Sequence, residues 1–429
     1  MIAYKPYPAY KDSGVPWLGK VPEGWEVLPL KRITRLCTER AESRLFPIGL
    51  EHIESWSGRL IAPSEDPEFE GDGTAFQKSD ILFGKLRPYL AKAWLATCQG
   101  EAVGDFHVIR VQSPHHPAFV QRILLSQDAI SLIDGSTYGA KMPRASWDFI
   151  GGLPIPIPRP NEQTAIAAYL DRETAKIDAL IAAQRRLIDL LREKRSALIS
   201  HAVTKGLNPD APMKESGVPW LGKVPEHWVV CRLKHGISEM DSGGTPDTSN
   251  TNYWSDNDDG IPWVTIGDMS GVDIVSETSK YVSNLGIQDK GLHLFPKGAL
   301  LFSMYASLGH VAEIAMCATT NQAILGLIPT PLTRQDFMKR WLQFLQTYLV
   351  EIASRNTQAN LNAEKVRNLP FVMIGESEQA AIAAYLDRET AKIDILIAKT
   401  EKAIELAQER RSALISAAVT GKIDVREAA

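Results

Sequence analysis

Apolar residues recur every seven positions along two stretches of the chain, which predicts two long α-helices. The first stretch covers residues 160–206 and the second covers residues 377–421. The two predicted seams are Leu170, Ile177, Gln184, Leu191 and Leu198, and Leu386, Ile393, Thr400, Ala407 and Leu414. The alternate row of the first seam is predicted to contain Ile166, Leu180 and Leu187. An antiparallel coiled coil is the natural pairing of two such helices in one chain, with Gln184 and Thr400 as candidate polar residues that set its register.

Both helices carry end signals. Pro160-Asn161 and Ser377 offer N-cap chemistry, and Gly206 and Gly421 stand just past the last periodic residues. At 1.5 Å per residue, about forty residues make a rod of roughly 60 Å. A less specific interpretation is that each helix packs only on its own domain.

The helices belong to an internal repeat. EQTAIAAYLDRETAKID at 162–178 returns at 378–394 with a single change, and KDSGVPWLGKVPEGW at 11–25 returns in 13 of 15 places at 214–228. The chain therefore divides into two units of about two hundred residues, each built from an arm, a globular region and a long helix.

The regions between arm and helix have diverged. Short apolar runs bounded by turn residues predict strands, namely DILFGKL, FHVIRV and IPIP in the first region and IPWVTIG, GALLFSM and AILGLIP in the second. We predict two copies of a mixed α/β (α+β) domain, joined by the two long helices in a pseudo-two-fold repeat. The predicted boundaries are an arm at 1–25, a globular region at 26–158, a helix at 160–206, a linker and repeated arm at 207–228, a globular region at 229–373 and a helix at 377–421.

Composition narrows the class of protein. The chain has 44% hydrophobic and 23% charged residues, with no apolar run near the roughly 18 residues of a membrane span and no signal-peptide pattern, so we expect a cytoplasmic protein. Its four cysteines are far apart, and its histidines lack metal-ligand spacing, so no disulfide framework and no metal site are expected. The net charge of −4 requires that any positive charge for a nucleic acid be local or shared with another subunit.

Several further motifs are informative together. They are SGVPWLGKVPE in both arms, the duplicated helices followed by KRSALIS and RRSALIS, SGGTPDTSNTNYW and GIPWVTIGDM in the second region, and LFGKLRPYL, YGAKMP, TTNQA and NTQANLNAEKVRNLP. With these motifs the chain resembles one family, the specificity subunits of type I restriction-modification systems. The resemblance covers nearly the whole chain.

The resemblance implies a role without catalysis. The globular regions would be target recognition domains that read two unlike halves of a double-stranded DNA site, and the helices would fix their spacing and dock two modification subunits. Those subunits would supply S-adenosylmethionine and adenine methylation, and restriction subunits would add ATP, Mg and cleavage. Consistent with this, the sequence has no GxxxxGK[ST] phosphate loop and no NPPY- or DPPY-like tetrapeptide.

Side chains that donate or accept hydrogen bonds in a DNA groove are the candidate contacts. In the first region they are basic and aromatic, namely Lys85, Arg87, Tyr89, Lys92, Lys141 and Arg144. In the second region they are mainly polar, namely Ser242, Gly243, Gly244, Thr245, Thr248, Tyr253, Ser303, Tyr305, Arg355, Asn356, Gln358 and Asn360. The Gly-Gly-Thr-Pro turn offers backbone amides to a phosphate, although it is also an ordinary turn. Lys85 corresponds to Met304 in the shared frame, as different half-site preferences would require.

Two other classes of protein remain open from the sequence. One is a stand-alone methyltransferase or nuclease with degenerate motifs, whose acidic candidates Glu68, Glu70 and Asp72 are more simply a solvated loop. The other is a coiled-coil scaffold that binds only proteins. The arm tryptophans, Trp17, Trp25, Trp220 and Trp228, are equal in both units, which favours packing over base stacking.

Overall fold

A computed structural model describes residues 5–41, 46–61, 73–139, 141–255, 259–305, 307–355 and 361–426, with side chains left out for 350–355. It divides into two compact units. Unit 1 comprises residues 1–185 and 401–429, and unit 2 comprises residues 186–400. The division passes through both long helices, so each unit contains the first half of one helix and the second half of the other.

Unit 1 is a mixed α/β domain built on a four-stranded antiparallel sheet. Its strands are Tyr10–Asp12 (β1), Lys20–Pro22 (β2), Glu26–Pro29 (β3), Thr34–Cys37 (β4), Pro47–Ile48 (β5), Thr74–Phe76 (β6), Ile81–Gly84 (β7), Ala93–Leu95 (β8), Gly100–Ala102 (β9), Phe106–Val111 (β10) and Pro154–Ile157 (β11). Its helices are Pro117–Leu124 (α1), Gln127–Gly135 (α2), Trp147–Gly152 (α3) and the first part of Pro160–Lys205 (α4). The central sheet has the order β4-β10-β7-β8, and β5-β9-β6 form a smaller sheet.

Unit 2 repeats this architecture with a larger sheet. Its strands are Met213–Glu215 (β12), Lys223–Pro225 (β13), Val229–Arg232 (β14), Ile237–Ser242 (β15), Trp254–Ser255 (β16), Ile261–Val264 (β17), Ile274–Val275 (β18), Tyr281–Val282 (β19), Leu300–Ser303 (β20), Val311–Ile314 (β21), Thr319–Thr320 (β22), Ile324–Pro329 (β23) and Pro370–Met373 (β24). Its helices are Ile266–Met269 (α5), Asn284–Lys290 (α6), Gln335–Arg355 (α7), Ala363–Arg367 (α8) and the first part of Glu376–Val419 (α9). The main sheet has the order β15-β23-β20-β21-β18, beside a four-stranded sheet β16-β19-β17-β22.

Each of the six predicted apolar runs overlaps a strand, and the shared frame is visible in the pairing. In unit 1, β7 lies between β10 and β8, and in unit 2, β20 lies between β23 and β21, all antiparallel. The side chains of β7 and β20 are fully buried because elements cover both faces of the sheet. The predicted α/β fold with two long helices is therefore confirmed.

Within each unit, the two long helices pack antiparallel. In unit 1, Ile177 and Ile181 of α4 belong to the same buried cluster as Leu414 and Ile415 of α9. In unit 2, the pairing runs between the end of α4 and the start of α9, where Ile199 and Leu386 share a cluster. The helices are amphipathic along a narrow seam, as a helix pair requires.

The predicted seam residues are buried or half-buried, and so is Ile166 of the alternate row, but Leu180 and Leu187 of that row were predicted wrongly. Leu180 and Leu187 are 50% and 43% exposed, whereas Thr174, Ile181 and Ile188, each in the adjoining register, are at most 8% exposed. Thr400 is buried, yet its hydroxyl donates to the carbonyl of Leu396 one turn earlier, so it makes no hydrogen bond across the helices.

The helix ends largely follow their end signals. Gly206 and Gly421 adopt φ of +74° and +73°, the left-handed conformation that ends a helix and that glycine adopts without strain. Pro160 is the first residue of α4, where its missing N–H is not needed. The N-cap prediction for Ser377 was wrong, because α9 begins one residue earlier, at Glu376.

The arms pack on the helices through their tryptophans. Trp25 and Trp228 are 2% and 0% exposed. Each indole Nε1 donates to a helix glutamate, Trp25 to Glu162 at 3.2 Å and Trp228 to Glu378 at 3.1 Å. These tryptophans therefore hold the arm on the first turn of a helix, as the equality of the two arms suggested.

Within the described part of the chain, no helix is both long and apolar enough to cross a membrane.

Candidate nucleic-acid interface

The two basic groups predicted in unit 1 lie side by side at one end of its central sheet. The backbone N–H of Arg87 donates to the carbonyl of Pro143 at 2.8 Å, and the N–H of Ala145 donates to the carbonyl of Lys85 at 2.9 Å. These bonds align residues 85–87, which follow β7, with residues 143–145. Lys85, Arg87, Lys141 and Arg144 therefore share one surface, which we call the basic cluster.

One carboxylate lies inside the basic cluster. Asp105 accepts two hydrogen bonds from Arg144, both at 3.0 Å, and lies 3.8 Å from the ammonium of Lys85. The hydrogen bond to Asp105 raises the pKa of Arg144, so its guanidinium stays charged. Among the described residues, neither Arg87 nor Lys141 forms an ion pair. These two exposed cations are the ones available to a phosphate or a base edge.

Exposed aromatic and apolar side chains surround the same cluster. Tyr89 is 46% exposed, Tyr138 62% and Met142 49%. Tyr89 lies in the turn Pro88–Leu90, which is bracketed by Arg87 at φ +51° and Ala91 at φ +47°. Left-handed conformations at two non-glycine residues are costly and concentrate at functional sites. Tyr138 and Met142 were missed by the sequence analysis, although YGAKMP had been singled out.

Lys92 is apart from the basic cluster. It lies just before β8 and donates its ammonium to the carbonyl of Leu50 at 2.7 Å. Burial lowers the pKa of Lys92. The sequence placed Lys92 with the DNA-binding candidates because it is close to Arg87. In the structure, its ammonium is bound to a carbonyl of the same domain.

His107 in β10 lies beneath the basic cluster and is 9% exposed. Its Nε2 is 3.0 Å from the carbonyl of Ala145, which fixes the proton on that nitrogen. Burial lowers the pKa of His107, and Lys85 lowers it further, while the bond to Ala145 opposes the shift. The folded protein therefore favours the neutral ring.

His107 should make unit 1 sensitive to acid. Because its pKa is lower folded than unfolded, the unfolded chain binds more protons below about pH 6.5, and stability falls as pH decreases through that value. We expect the melting temperature of His107→Gln to depend less on pH between about 7 and 5 than that of the wild type. The pKa of His115 is also lowered by burial, so the matched control His115→Gln should remove a separate part of the slope. A pH profile of His107→Gln that is unchanged from the wild type would contradict this assignment, whatever His115→Gln shows.

In the predicted glycine turn of unit 2, the amides of both glycines are already hydrogen-bonded and are not available to a phosphate. The N–H of Gly244 donates to the carbonyl of Thr320 at 2.9 Å, and the N–H of Gly243 donates to that of Ile324 at 3.4 Å. A Cβ on Gly243 would collide with the carbonyl of Thr320. Glycine is required here because two backbones approach closely, so the amide part of the prediction was wrong.

Polar side chains around this turn form the candidate surface of unit 2. Ser242 and Thr248 are exposed, and Thr245 donates to the side chain of Gln322 at 2.5 Å. Tyr253 is half-buried and its hydroxyl is hydrogen-bonded to Asp289, which raises its pKa. These side chains are fitted to hydrogen bonding and not to neutralising charge.

A cation over two aromatic rings adds to this surface. The ammonium of Lys280 lies 5.5 Å from the ring centroid of Trp254 and 5.9 Å from that of Trp263. Cation–π contact with both rings favours this position of the ammonium. The sequence analysis missed Lys280, which lies outside every motif it used.

Further predicted residues of unit 2 fall in different places. Tyr305 is 43% exposed, whereas Ser303 is 1% exposed and its hydroxyl donates to the carbonyl of Tyr305 at 2.6 Å. Ser303 therefore supports the loop from inside, and the prediction of direct contact was wrong. Arg355 is the last residue of α7, and its side chain is not described. Asn356, Gln358 and Asn360 lie outside the described residues, as do Glu68, Glu70 and Asp72.

A matched set of contacts, also missed, attaches each globular region to its helix. Arg122 of α1 forms an ion pair with Asp171 of α4 at 2.6 Å, and Arg340 of α7 forms one with Asp387 of α9 at 2.5 Å. Asp171 and Asp387 occupy the same position of the duplicated helix. The signal was present in the sequence, because FVQR at 119–122 and FMKR at 337–340 share a Phe-x-x-Arg pattern.

Buried glutamines repeat the same attachment one turn from the helix start. The side-chain oxygen of Gln163 accepts from the N–H of His116 at 2.8 Å, and that of Gln379 accepts from the N–H of Arg334 at 2.7 Å. Both glutamines are at most 1% exposed. Each globular region thus sits on its helix through the same two contacts.

The fold defines a duplicated α/β protein in which each globular region rests on paired segments of two long helices. Residues 225–406 match the family described as type I restriction modification DNA specificity domain. The chain is 27% identical over 197 residues to the type I restriction enzyme MjaIX specificity subunit of Methanocaldococcus jannaschii, covering 44% of this chain and 43% of that protein. It is 23% identical over 185 residues to the EcoDI specificity subunit of Escherichia coli, covering 41% of each. These matches span less than half the length of either relative.

Two solved structures share the whole fold. A chain from a structure of the complex assembly and conformational transition of the type I R-M system has a TM-score of 0.69 at 18% identity, covering 93% of this chain and 98% of that one. The HsdS subunit from Thermoanaerobacter tengcongensis has a TM-score of 0.52 at 17% identity, covering 94% and 98%. The family match over residues 225–406 agrees with the resemblance seen in the sequence, and the two solved structures show the same fold.

Proposed function

We propose that this chain is the DNA sequence-specificity subunit of a type I restriction-modification complex, in which each recognition domain reads one half of a bipartite, asymmetric site. The observation that carries the proposal is the contrast between the shared attachments and the unlike surfaces of the two units. At matching strand ends, Lys85 lies on the surface of unit 1, whereas Met304 of unit 2 is 5% exposed. Two domains mounted alike but presenting different chemistry fit two readers of different sequences.

Exposed leucines at matching positions of the two units support the proposal that two copies of one partner bind the helices. Leu180 and Leu406 of unit 1 are 50% and 54% exposed, and Leu396 and Leu190 of unit 2 are 49% and 45% exposed. Leu180 matches Leu396 in the repeat, and Leu190 matches Leu406. Large apolar side chains left in water at matched positions are typical of interaction surfaces. We assign this surface to two modification (adenine methyltransferase) subunits.

The proposal divides the chemistry among subunits. S-adenosylmethionine would bind the modification subunits, ATP and Mg would bind restriction subunits where these take part, and this chain would supply recognition without a catalytic residue. Such a complex acts on DNA in the cytoplasm of a bacterium or archaeon. Because the chain has a net charge of −4, the modification subunits would supply much of the nonspecific phosphate attraction.

A base-resolution map of methylated adenines tests this proposal. Cells that express the chain with its modification subunit should show a two-part asymmetric motif with an unread gap, and cells lacking only this chain should not. Exchange of residues 26–158 for the first recognition domain of another family member should change one half of the motif alone. A stable, active complex that methylates no defined motif would leave the chain a scaffold and contradict the proposal.

A further inference from the structure

A buried cluster joins the first recognition domain to both helices of unit 1. At its centre is Asp178 of α4, whose Oδ1 accepts from Arg411 Nε at 2.9 Å and whose Oδ2 accepts from Arg59 Nη2 at 2.5 Å. Arg411 belongs to α9, and its Nη1 donates to the carbonyl of Trp56 at 3.0 Å. Trp56 and Arg59 lie in a hairpin of the recognition domain, residues 53–61. We call Asp178, Arg411, Arg59 and Trp56 the hairpin lock.

The charges at the centre of the hairpin lock are withdrawn from solvent. The side chains of Arg411 and Asp178 are 10% and 13% exposed. Salt screens such a pair far less than a surface pair, and loss of either partner leaves the other charge buried without compensation. The geometry of the hairpin lock is therefore strongly specified.

The hairpin moves with the recognition domain. The N–H of Glu54 donates to the carbonyl of Arg59 at 2.9 Å, which closes the hairpin. At its tip, Trp56 has φ +64°, a conformation rare for a large side chain, and its N–H donates to the carbonyl of Ala91 at 3.0 Å. Ala91 directly follows the turn that carries Tyr89. A short chain of hydrogen bonds thus leads from Arg411 in the helix to the basic cluster.

Unit 2 has the same helix pair of charges in a weaker form. Arg195 and Asp394 occupy the repeat positions of Arg411 and Asp178, and they are 25% and 51% exposed. The nitrogen of Arg195 and the oxygen of Asp394 are 3.1 Å apart, but within the described part of the chain Arg195 Nε has no well-aligned hydrogen bond. The contact of Arg195 with the recognition domain is a 3.8 Å approach to Asp273. Exposed ion pairs of this kind contribute little to stability.

We propose that the hairpin lock is a specificity determinant for the length of the gap between the two half-sites, because it fixes the tilt of the first recognition domain on the helices. The inference rests on the proposed function and adds to it. The lock reads no base itself; its residues are positioning residues that act through the basic cluster. The second recognition domain shares the arginine and glutamine attachments but has the weaker Arg195–Asp394 pair at the position of the lock, so it takes no comparable part in excluding wrong gaps.

DNA geometry explains why tilt controls the gap. Each added base pair moves a half-site by about 3.4 Å and rotates it by roughly 35° about the duplex. A domain held at one tilt meets the groove at only one such position. A cleft of about 1210 Å³ next to the lock, lined in part by Trp56, Asp178 and Arg411, gives the hairpin room to move once the lock is removed.

The test compares Arg411→Met with the matched variant Arg195→Met, each assembled with the modification subunit. The substrate is a plasmid library that carries both half-sites with gaps from two base pairs shorter to two longer than in the wild-type motif. The measured quantity is the ratio of methylation at the wild-type gap to methylation at neighbouring gaps. We expect Arg411→Met to reduce this ratio by about twofold to thirtyfold, the range expected when single substitutions change coupling. Both half-site sequences should stay the same, and Arg195→Met should keep the wild-type ratio.

Further outcomes separate the possible failures. Arg59→Gln, which removes one exposed donor of the lock, keeps the test valid if Arg411→Met does not fold, and it should narrow the ratio in the same direction. An unchanged gap preference in folded Arg411→Met and Arg59→Gln, or equal relaxation in Arg195→Met, would overturn the inference while leaving the proposed function intact. A wild-type chain that directs no bipartite methylation would instead overturn the proposed function.

Discussion

Replacing Arg87 and Lys141 together by alanine is expected to weaken sequence-specific DNA binding and methylation strongly, without disturbing assembly with the modification subunits. Both cations are exposed, lie in the basic cluster and have no ion-pair partner among the described residues. A side chain that contacts a base or a phosphate contributes about 1–3 kcal/mol to binding. The double substitution should therefore reduce the binding free energy by at least about 2 kcal/mol. This corresponds to a roughly thirtyfold increase in the dissociation constant of the assembled complex for its site.

The measurement is a titration of labelled DNA by the complex at several salt concentrations. If the two cations contact phosphates, the slope of log affinity against log salt should decrease in magnitude by roughly one for each. If they contact bases, the slope should hold and the tolerance for substitutions in one half-site should increase.

Lys78→Ala is the matched control. Lys78 is exposed and precedes β7, so it lies at the opposite end of the strand that leads to Lys85. The Lys78→Ala substitution lowers the charge of the same domain by one and leaves the basic cluster unchanged. Equal losses in Lys78→Ala and in single Arg87→Ala would show that net charge alone is responsible, against a local interface.

Truncation of the arm tryptophans should have the largest effect on stability. Trp25→Ala and Trp228→Ala each empty a fully packed site in the core of one unit, and replacing a buried tryptophan by alanine typically costs about 3–5 kcal/mol. Each change also leaves a helix glutamate, Glu162 or Glu378, without its indole donor. For units of about two hundred residues, we expect the melting temperature to fall by roughly 6–20 °C.

Hydrogen exchange would show where the stability is lost. Trp25→Ala should lower protection in unit 1, around β3, β11 and the start of α4, and Trp228→Ala should do so in unit 2, around β14, β24 and the start of α9. The conservative variants Trp25→Phe and Trp228→Phe keep most of the buried volume. Their free energy of unfolding should decrease by only about 0.5–1.5 kcal/mol, the contribution of one hydrogen bond. A loss smaller than 1 kcal/mol in the alanine variants would place these rings outside the core.

In the seam of the helices, the sequence predicts the helices but not which of two adjacent apolar residues is buried. A seven-residue period identified the helices and one row of each seam, because only a helix returns the same face at that interval. The period did not separate Ile181 from Leu180, since both positions are apolar and adjacent. The structure buries Ile181 and leaves Leu180 exposed, and that choice depends on where the neighbouring helix and domain lie.

The candidate site shows the same limit at the level of single residues. The basic and aromatic composition of GKLRPYLAK and YGAKMPRAS predicted an exposed surface in unit 1, because such residues are costly to bury without partners. Residue type could not show that Lys92 already has a carbonyl partner, that Ser303 faces inward, or that the amides of Gly243 and Gly244 are satisfied. Those facts depend on chain segments that are distant in sequence.

The sequence by itself determined the duplication, the two long helices, six strands of the shared frames and the family resemblance, because each of these depends on local periodicity or on repeated segments. Only the tertiary structure decided which basic side chains keep a free charge, which glutamates and aspartates hold the domains on the helices, and how Arg411 reaches Trp56. The physical reason is that hydrogen bonds and ion pairs depend on distances of a few ångströms between residues that are far apart in the chain. Such distances are fixed only when the whole core is packed.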